Sequence, residues 1–92
     1  MSVSKDLSKE AVIVNDLGLH ARSAARIAAL ARNAKADVWL IRDGEKADAK
    51  SIIDMLTLAC GKGTTVTIKI DSGSDAEVLH NIADLVKCGF GE

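Results

Sequence analysis

The chain contains no proline and no tyrosine, and Trp39 and Phe90 are its only aromatic residues. Without flat side chains there is no platform on which bases could stack. A basic excess is missing too. The net charge is −1, whereas a nucleic-acid binder carries a surplus of lysine and arginine. No apolar run approaches the length that spans a bilayer, and no signal-peptide pattern opens the sequence, so a cytoplasmic location without membrane attachment is expected. Cys60 and Cys88 are the only cysteines, and neither stands in a CxxC or Cys/His spacing. No metal is expected, and both thiols are expected to stay reduced, with Cys88 a core or boundary residue at a helix end.

What is present suffices for one domain. The 92 residues are 48% apolar and 27% charged, enough for a small core shared by every element. Residues 1–7 read as a loose polar lead-in to a single domain covering 1–92. Glu10–Asn15 is a short β-branched run bounded by turn residues, hence a first strand. A helix follows from Ala21 to about Asn33, its stripe of Ala24, Ile27, Ala28 and Ala31 small enough to lie close on a sheet. Asp37–Arg42 is a second strand, with Trp39 as a packing residue. Asp43-Gly44 then signals a tight hairpin that returns Glu45–Asp48 as a third.

Ser51, with Asp54 three residues on, opens a second helix that Gly61 and Gly63 end. Its apolar residues Ile52, Ile53, Met55, Leu56 and Leu58 are too many for one narrow face, so some of them face solvent. Thr64–Asp71 alternates as a half-buried strand. Ser74 and Glu77 form a capping box for a third helix that carries Leu79, Ile82, Ala83 and Val86 and stops near Gly89. The order predicts an α+β fold: one open four-stranded antiparallel sheet with three helices on a single face.

The chemistry concentrates in Gly18-Leu19-His20-Ala21-Arg22-Ser23. Asn15, Asp16 and Gly18 make a turn, which leaves His20 at or just before a helix N-terminus. Free amides and the positive end of the helix dipole favour an anion there, phosphate above all. The same potential disfavours a protonated ring, leaving the imidazole uncharged and nucleophilic. A phosphoryl group on that ring would lie in a cradle of Ala21, Arg22 and Ser23, with the Arg22 guanidinium to neutralise it. The plainer alternative makes His20 an N-cap on a surface helix and Arg22 a solvated charge. His80 has no glycine turn or arginine beside it and reads as exposed or boundary.

Three separated motifs, in order, carry a resemblance. Asn15 with Gly18-Leu19-His20-Ala21-Arg22, then Ala49-Lys50-Ser51-Ile52-Ile53, then Gly89-Phe90-Gly91-Glu92 together resemble the HPr family. These are the histidine-containing phosphocarriers of the bacterial phosphoenolpyruvate:sugar phosphotransferase system. The resemblance implies an open-faced β-sandwich and a stoichiometric carrier, not an enzyme, without metal or organic cofactor. It implies that His20 takes a phosphoryl group at Nδ1 from phosphorylated enzyme I and passes it to a histidine of an enzyme IIA. Arg22 corresponds to the phosphate-neutralising arginine. Ser51 matches a serine that a dedicated kinase and phosphorylase act on in some bacteria, although an N-cap role accounts for a serine equally well. Ile52, Ile53 and Leu56 match the apolar docking patch, and Arg26, Arg32 and Lys50 read as a basic rim for acidic partners.

One departure stands out. The family usually has proline after the arginine, and this chain has Ser23. Serine keeps the backbone donor and adds a hydroxyl, so either the cradle gains a hydrogen bond or the turn loosens. Three rivals remain: the nitrogen-related regulatory branch of the family, a homologue that acts only by docking, and a small-ligand-binding domain. The docking-only homologue should lack the histidine, and the ligand-binding domain would need a closed pocket.

Overall fold

The computed structural model describes residues 7–92. Seven main elements follow one another: β1 (Ser8–Val12), α1 (Ala21–Ala31), β2 (Val38–Arg42), β3 (Glu45–Asp48), α2 (Ile52–Leu56), β4 (Thr65–Ile70) and α3 (Ala76–Lys87). The strands form one antiparallel sheet in the order β1-β4-β2-β3. Strand alternation sends Val66, Ile68 and Ile70 of β4 and Val38 and Leu40 of β2 to one face, all of them buried. Ala24, Ile27, Ala28 and Ala31 of α1 and Leu79, Ile82, Ala83 and Val86 of α3 complete the core on that side. The result is the expected open-faced sandwich.

The departures from the sequence reading are local and have physical causes. Residues 1–6 of the anticipated lead-in lie outside the described residues. Leu7 belongs to the sheet: its carbonyl accepts the Ile70 N–H at 2.8 Å. The first strand is therefore registered earlier than Glu10–Asn15, although pairing persists beyond Val12, where the Ile13 N–H donates to the Thr64 carbonyl at 2.9 Å. The second helix ends well before Gly61. The Thr57 hydroxyl donates to the Asp54 carbonyl at 2.6 Å, competing with the helical ladder, and the chain turns left-handed at Ala59 (φ 53°).

The Ser74–Glu77 capping box does not form. Ser72 takes the cap position instead, its hydroxyl accepting the Ser74 N–H at 3.2 Å, and a 3-10 turn over Gly73–Asp75 precedes α3. Asp75 is 4% exposed. Its carboxylate accepts the N–H groups of Lys35 at 2.9 Å and Ala36 at 3.0 Å, tying the start of α3 to the loop before β2.

Trp39 does not pack in the core. It stands half-buried on the open face of the sheet, where the Lys46 ammonium lies 4.3 Å from its ring centre and the indole N–H points at Asp71. Cys60 is buried, and that burial pushes its thiol pKa up, whereas Cys88 at the end of α3 is exposed and not a core residue.

Candidate functional site

Gly18 sets the geometry of the site. Its φ is +66°, and a Cβ there would lie 2.7 Å from the Cys60 carbonyl oxygen and 2.9 Å from Gly61 Cα. Only glycine lets the chain pass so close to the loop between α2 and β4. The Leu19 N–H donates to that same Cys60 carbonyl at 2.8 Å, clamping the turn. His20 follows in extended conformation as the N-cap of α1.

The imidazole is held on both sides. Nδ1 accepts the Arg22 N–H at 3.2 Å, so it faces the free amides of the first helical turn. A nitrogen that accepts an amide proton carries none itself, which assigns the proton of the neutral ring to Nε2. Nε2 lies 2.6 Å from Glu92 Oε2. The other carboxylate oxygen of Glu92 accepts a hydrogen bond from Asn15 Nδ2 at 2.9 Å, and the same amide donates to the Gly18 carbonyl at 2.8 Å. The Asn15 amide, more than any other neighbour, holds the Glu92 carboxyl pKa below its usual range. Partial burial opposes this, and His20 and Arg22 add to it.

Ser23 settles the question raised by the missing proline. Its side chain is fully buried, with Oγ accepting the His20 N–H at 2.9 Å and lying within reach of the Gly18 and His20 carbonyls. The hydroxyl neither opens toward the cradle nor loosens the turn. It locks the N-cap from inside, and Ser23 can contribute only its backbone to a bound anion. Ala21 and Arg22 are exposed on the first turn, where the sequence placed them.

Glu92 reaches His20 because the last turn of the chain is anchored. Gly89, Phe90 and Gly91 all have positive φ (70°, 59° and 72°), which wraps the chain back toward α1. The Phe90 ring is wholly buried, and the Arg26 guanidinium donates to its carbonyl. Arg26 is thus tied to the chain's own last turn. Lys50 likewise reaches the Ala34 carbonyl at 3.5 Å, and Arg32 donates to the Lys50 carbonyl at 3.2 Å. These cations, read from sequence as a free rim, partly serve to join α1 to α2 and to the last turn.

Ser51 caps α2 through its hydroxyl, which accepts the Asp54 N–H at 3.2 Å. Ile53 beside it is 78% exposed, while Ile52 and Leu56 are half-buried against the core. Leu17, in the turn before His20, is 72% exposed, a large apolar side chain that the sequence reading did not single out. Glu92 was named only as the end of the third motif and given no role, since 72 positions separate it from His20 and no local pattern links them. The repeated glycines around Phe90 were the one visible hint of a tight terminal turn. His80 is exposed on α3, its ring beside Asp84 and Lys9 rather than Arg22 or Glu92. No helix among the described residues is long and apolar enough to cross a membrane.

Fold and site together define a small open-faced sandwich that presents one histidine at the mouth of its first helix. Comparison with known proteins gives that class a family. Residues 7–87 match the PTS-HPr family model, described as the PTS HPr component phosphorylation site. The phosphocarrier protein HPr of Cupriavidus necator is 40% identical over 86 residues, covering 94% of this chain and 97% of that protein. The phosphocarrier protein NPr of Shewanella violacea is 38% identical over 87 residues, covering 94% of each chain. A crystal structure of HPr from Thermoanaerobacter tengcongensis superposes with a TM-score of 0.85 at 30% identity, covering 92% of this chain and 96% of that one. The chain belongs to the HPr family, the phosphocarriers of the bacterial phosphotransferase system.

Proposed function

We propose that His20 carries the phosphoryl group on Nδ1, receiving it from phosphorylated enzyme I in the cytoplasm and delivering it to a histidine of an enzyme IIA. The observation that carries this reading is the orientation of the ring, with Nδ1 turned into the first-turn amides of α1 and Arg22 exposed alongside. The Nδ1 lone pair attacks phosphorus, and the donor nitrogen leaves with the electron pair of the broken P–N bond. The phosphoryl oxygens then lie among backbone N–H groups and the Arg22 guanidinium, which are in place before charge arrives. The P–N bond of the product is labile enough for the reverse chemistry on an acceptor. The protein is a stoichiometric intermediate, needing no cofactor, and exposed Ile53 on α2 and Leu17 in the turn before His20, with half-buried Ile52 and Leu56, supply apolar area for both partners.

The relative named NPr, nearly as similar as the HPr of Cupriavidus necator, supports a second reading. In it the same chemistry feeds a regulatory relay of the nitrogen branch instead of sugar uptake. The presence of His20 argues against a docking-only homologue. The test is incubation with enzyme I and phosphoenolpyruvate, followed by assay for an acid-labile, base-stable adduct. His20→Ala should abolish it, Arg22→Ala should slow its formation by about tenfold or more, and His80→Ala should leave it intact. Labelling that survives in His20→Ala overturns the assignment. Offering the labelled protein to a sugar-type and a nitrogen-type enzyme IIA separates the two branches by relative rate.

A further inference from the structure

A cavity of about 370 Å³ lies between the loop that leads from α1 into β2 and the first turns of α3. It opens at the C-terminal end of α1, whereas His20 caps the N-terminal end. Eleven helical residues, roughly 16 Å of helix, stand between the two. Leu30 and Val78, both half-buried against the core, give the cavity its apolar wall. Asn33 and Lys35 line it from one side and Glu77 and Asn81 from the other, all four of them exposed. The buried Asp75 carboxylate joins the sides by accepting the Lys35 and Ala36 N–H groups at 2.9 and 3.0 Å. The backbone of Lys35 is thereby held against the start of α3, so the cavity has its shape before anything enters it.

The charges in this cavity are not spent on the fold. Elsewhere on α1 and α2 they are: Arg26 donates to the Phe90 carbonyl, Arg32 to the Lys50 carbonyl and Lys50 to the Ala34 carbonyl. The Lys35 ammonium and the Glu77 carboxylate enter no ion pair among the described residues. We infer that this cavity binds a free α-amino acid with an aliphatic side chain. A cation on one side and an anion on the other match a carboxylate and an ammonium carried by the same carbon. The Asn33 and Asn81 amides supply donors and acceptors to either group. Leu30 and Val78 receive the aliphatic part. A ligand with a single charge fits less well, because one of the two side chains then repels it. A phosphorylated ligand would face Asp75 and Glu77 with Lys35 alone to offset them. The volume is at the small end of ligand sites, room for one amino acid and not for a nucleotide cofactor. Because the cavity and the imidazole sit at opposite ends of α1, the inference goes beyond the carrier reading and does not depend on it.

The test uses the full chain and three probes with one carbon skeleton: L-leucine, 3-methylbutylamine, which lacks its carboxylate, and 4-methylpentanoate, which lacks its amine. Leucine should bind with Kd on the order of 1 mM, the scale of a small open site. It should move the side-chain amide signals of Asn33 and Asn81 and the backbone signal of Lys35 in the 15N–1H spectrum. Each single-charge probe should bind roughly tenfold more weakly, the loss of one charge-assisted contact. Lys35→Ala and Glu77→Ala should each weaken leucine binding to a similar extent. Both side chains are exposed, and Lys35→Ala keeps the N–H that Asp75 accepts, so the fold survives. His20→Ala should bind leucine as the parent does, and phosphoryl acceptance should be unchanged in Lys35→Ala. Signals that stay still at about ten times the expected Kd overturn the inference. Equal binding of all three probes overturns the zwitterion chemistry, and loss of binding in His20→Ala would put the ligand at the wrong end of α1.

Discussion

Ser23 illustrates how one atom can substitute for a rigid ring. A proline at this place would stiffen the first helical turn through its fixed φ. The serine stiffens it by a hydrogen bond, its buried Oγ closing on the His20 N–H at 2.9 Å while Nδ1 closes on the Arg22 N–H. Two amides are satisfied reciprocally, as in a capping box whose capping side chain is an imidazole. Ser23→Ala should therefore cost about 1–2 kcal/mol in a denaturant melt, the usual loss for a buried cap. It should also slow phosphoryl acceptance by freeing the ring. Unchanged stability in that variant would show that the hydroxyl is dispensable. From sequence the histidine, the arginine and the glycine turn were legible because their signals are local. The direction of the serine hydroxyl was not, since two neighbouring carbonyls and an amide compete for it, and only the closed turn decides among them.

At the level of elements, pattern fixed the helices and strands, and side chains of mixed allegiance fixed their ends. The alternation in Thr65–Ile70 and the alanine stripe of α1 leave little choice of face. Boundaries slipped wherever a small polar residue had several partners available, as at Thr57 and at Ser72–Asp75. Asp75 is the clearest case. No reading of the sequence singled it out; it sits in the 3-10 turn before α3 and binds the backbone of the loop before β2, giving two N–H groups there an acceptor. The Lys35 N–H first, and the Ala36 N–H next, hold its carboxyl pKa below the ordinary aspartate value, outweighing the effect of burial. A carboxyl with a depressed folded pKa contributes stability above its unfolded pKa of about 3.9, and loses that contribution as pH falls through the folded value. Asp75→Asn should be less stable than the parent at neutral pH, with the gap narrowing on acidification below the unfolded value. Urea melts across that range check it, and a gap independent of pH would mean that shape and not charge matters at this joint.

Seen whole, the molecule gathers its buried apolar side chains on one face of the sheet and leaves a rim around His20 at one end. There the turn before His20, the first turn of α1, the loop after α2 and the last turn of the chain meet; Leu17 in that turn and Ile53 on α2 stand out into solvent. Large apolar side chains that exposed contribute little to folding, and such side chains mark surfaces for contact with another protein. Ser51 lies at the other end of α2, next to the C-terminal end of α1, its hydroxyl spent on the Asp54 N–H. A phosphoryl group there would add nearly two negative charges beside the apolar patch and oppose an acidic partner. Ile53→Ser should leave the melting temperature within experimental scatter while weakening enzyme I binding by roughly tenfold, the scale of one interface anchor. Ser51→Asp should weaken the same binding in a salt-dependent manner, whereas the loss in Ile53→Ser should be insensitive to salt. Titration calorimetry at two ionic strengths distinguishes these effects. Equal affinity in Ile53→Ser would move the docking face off α2, and equal affinity in Ser51→Asp would leave that serine with its capping role alone.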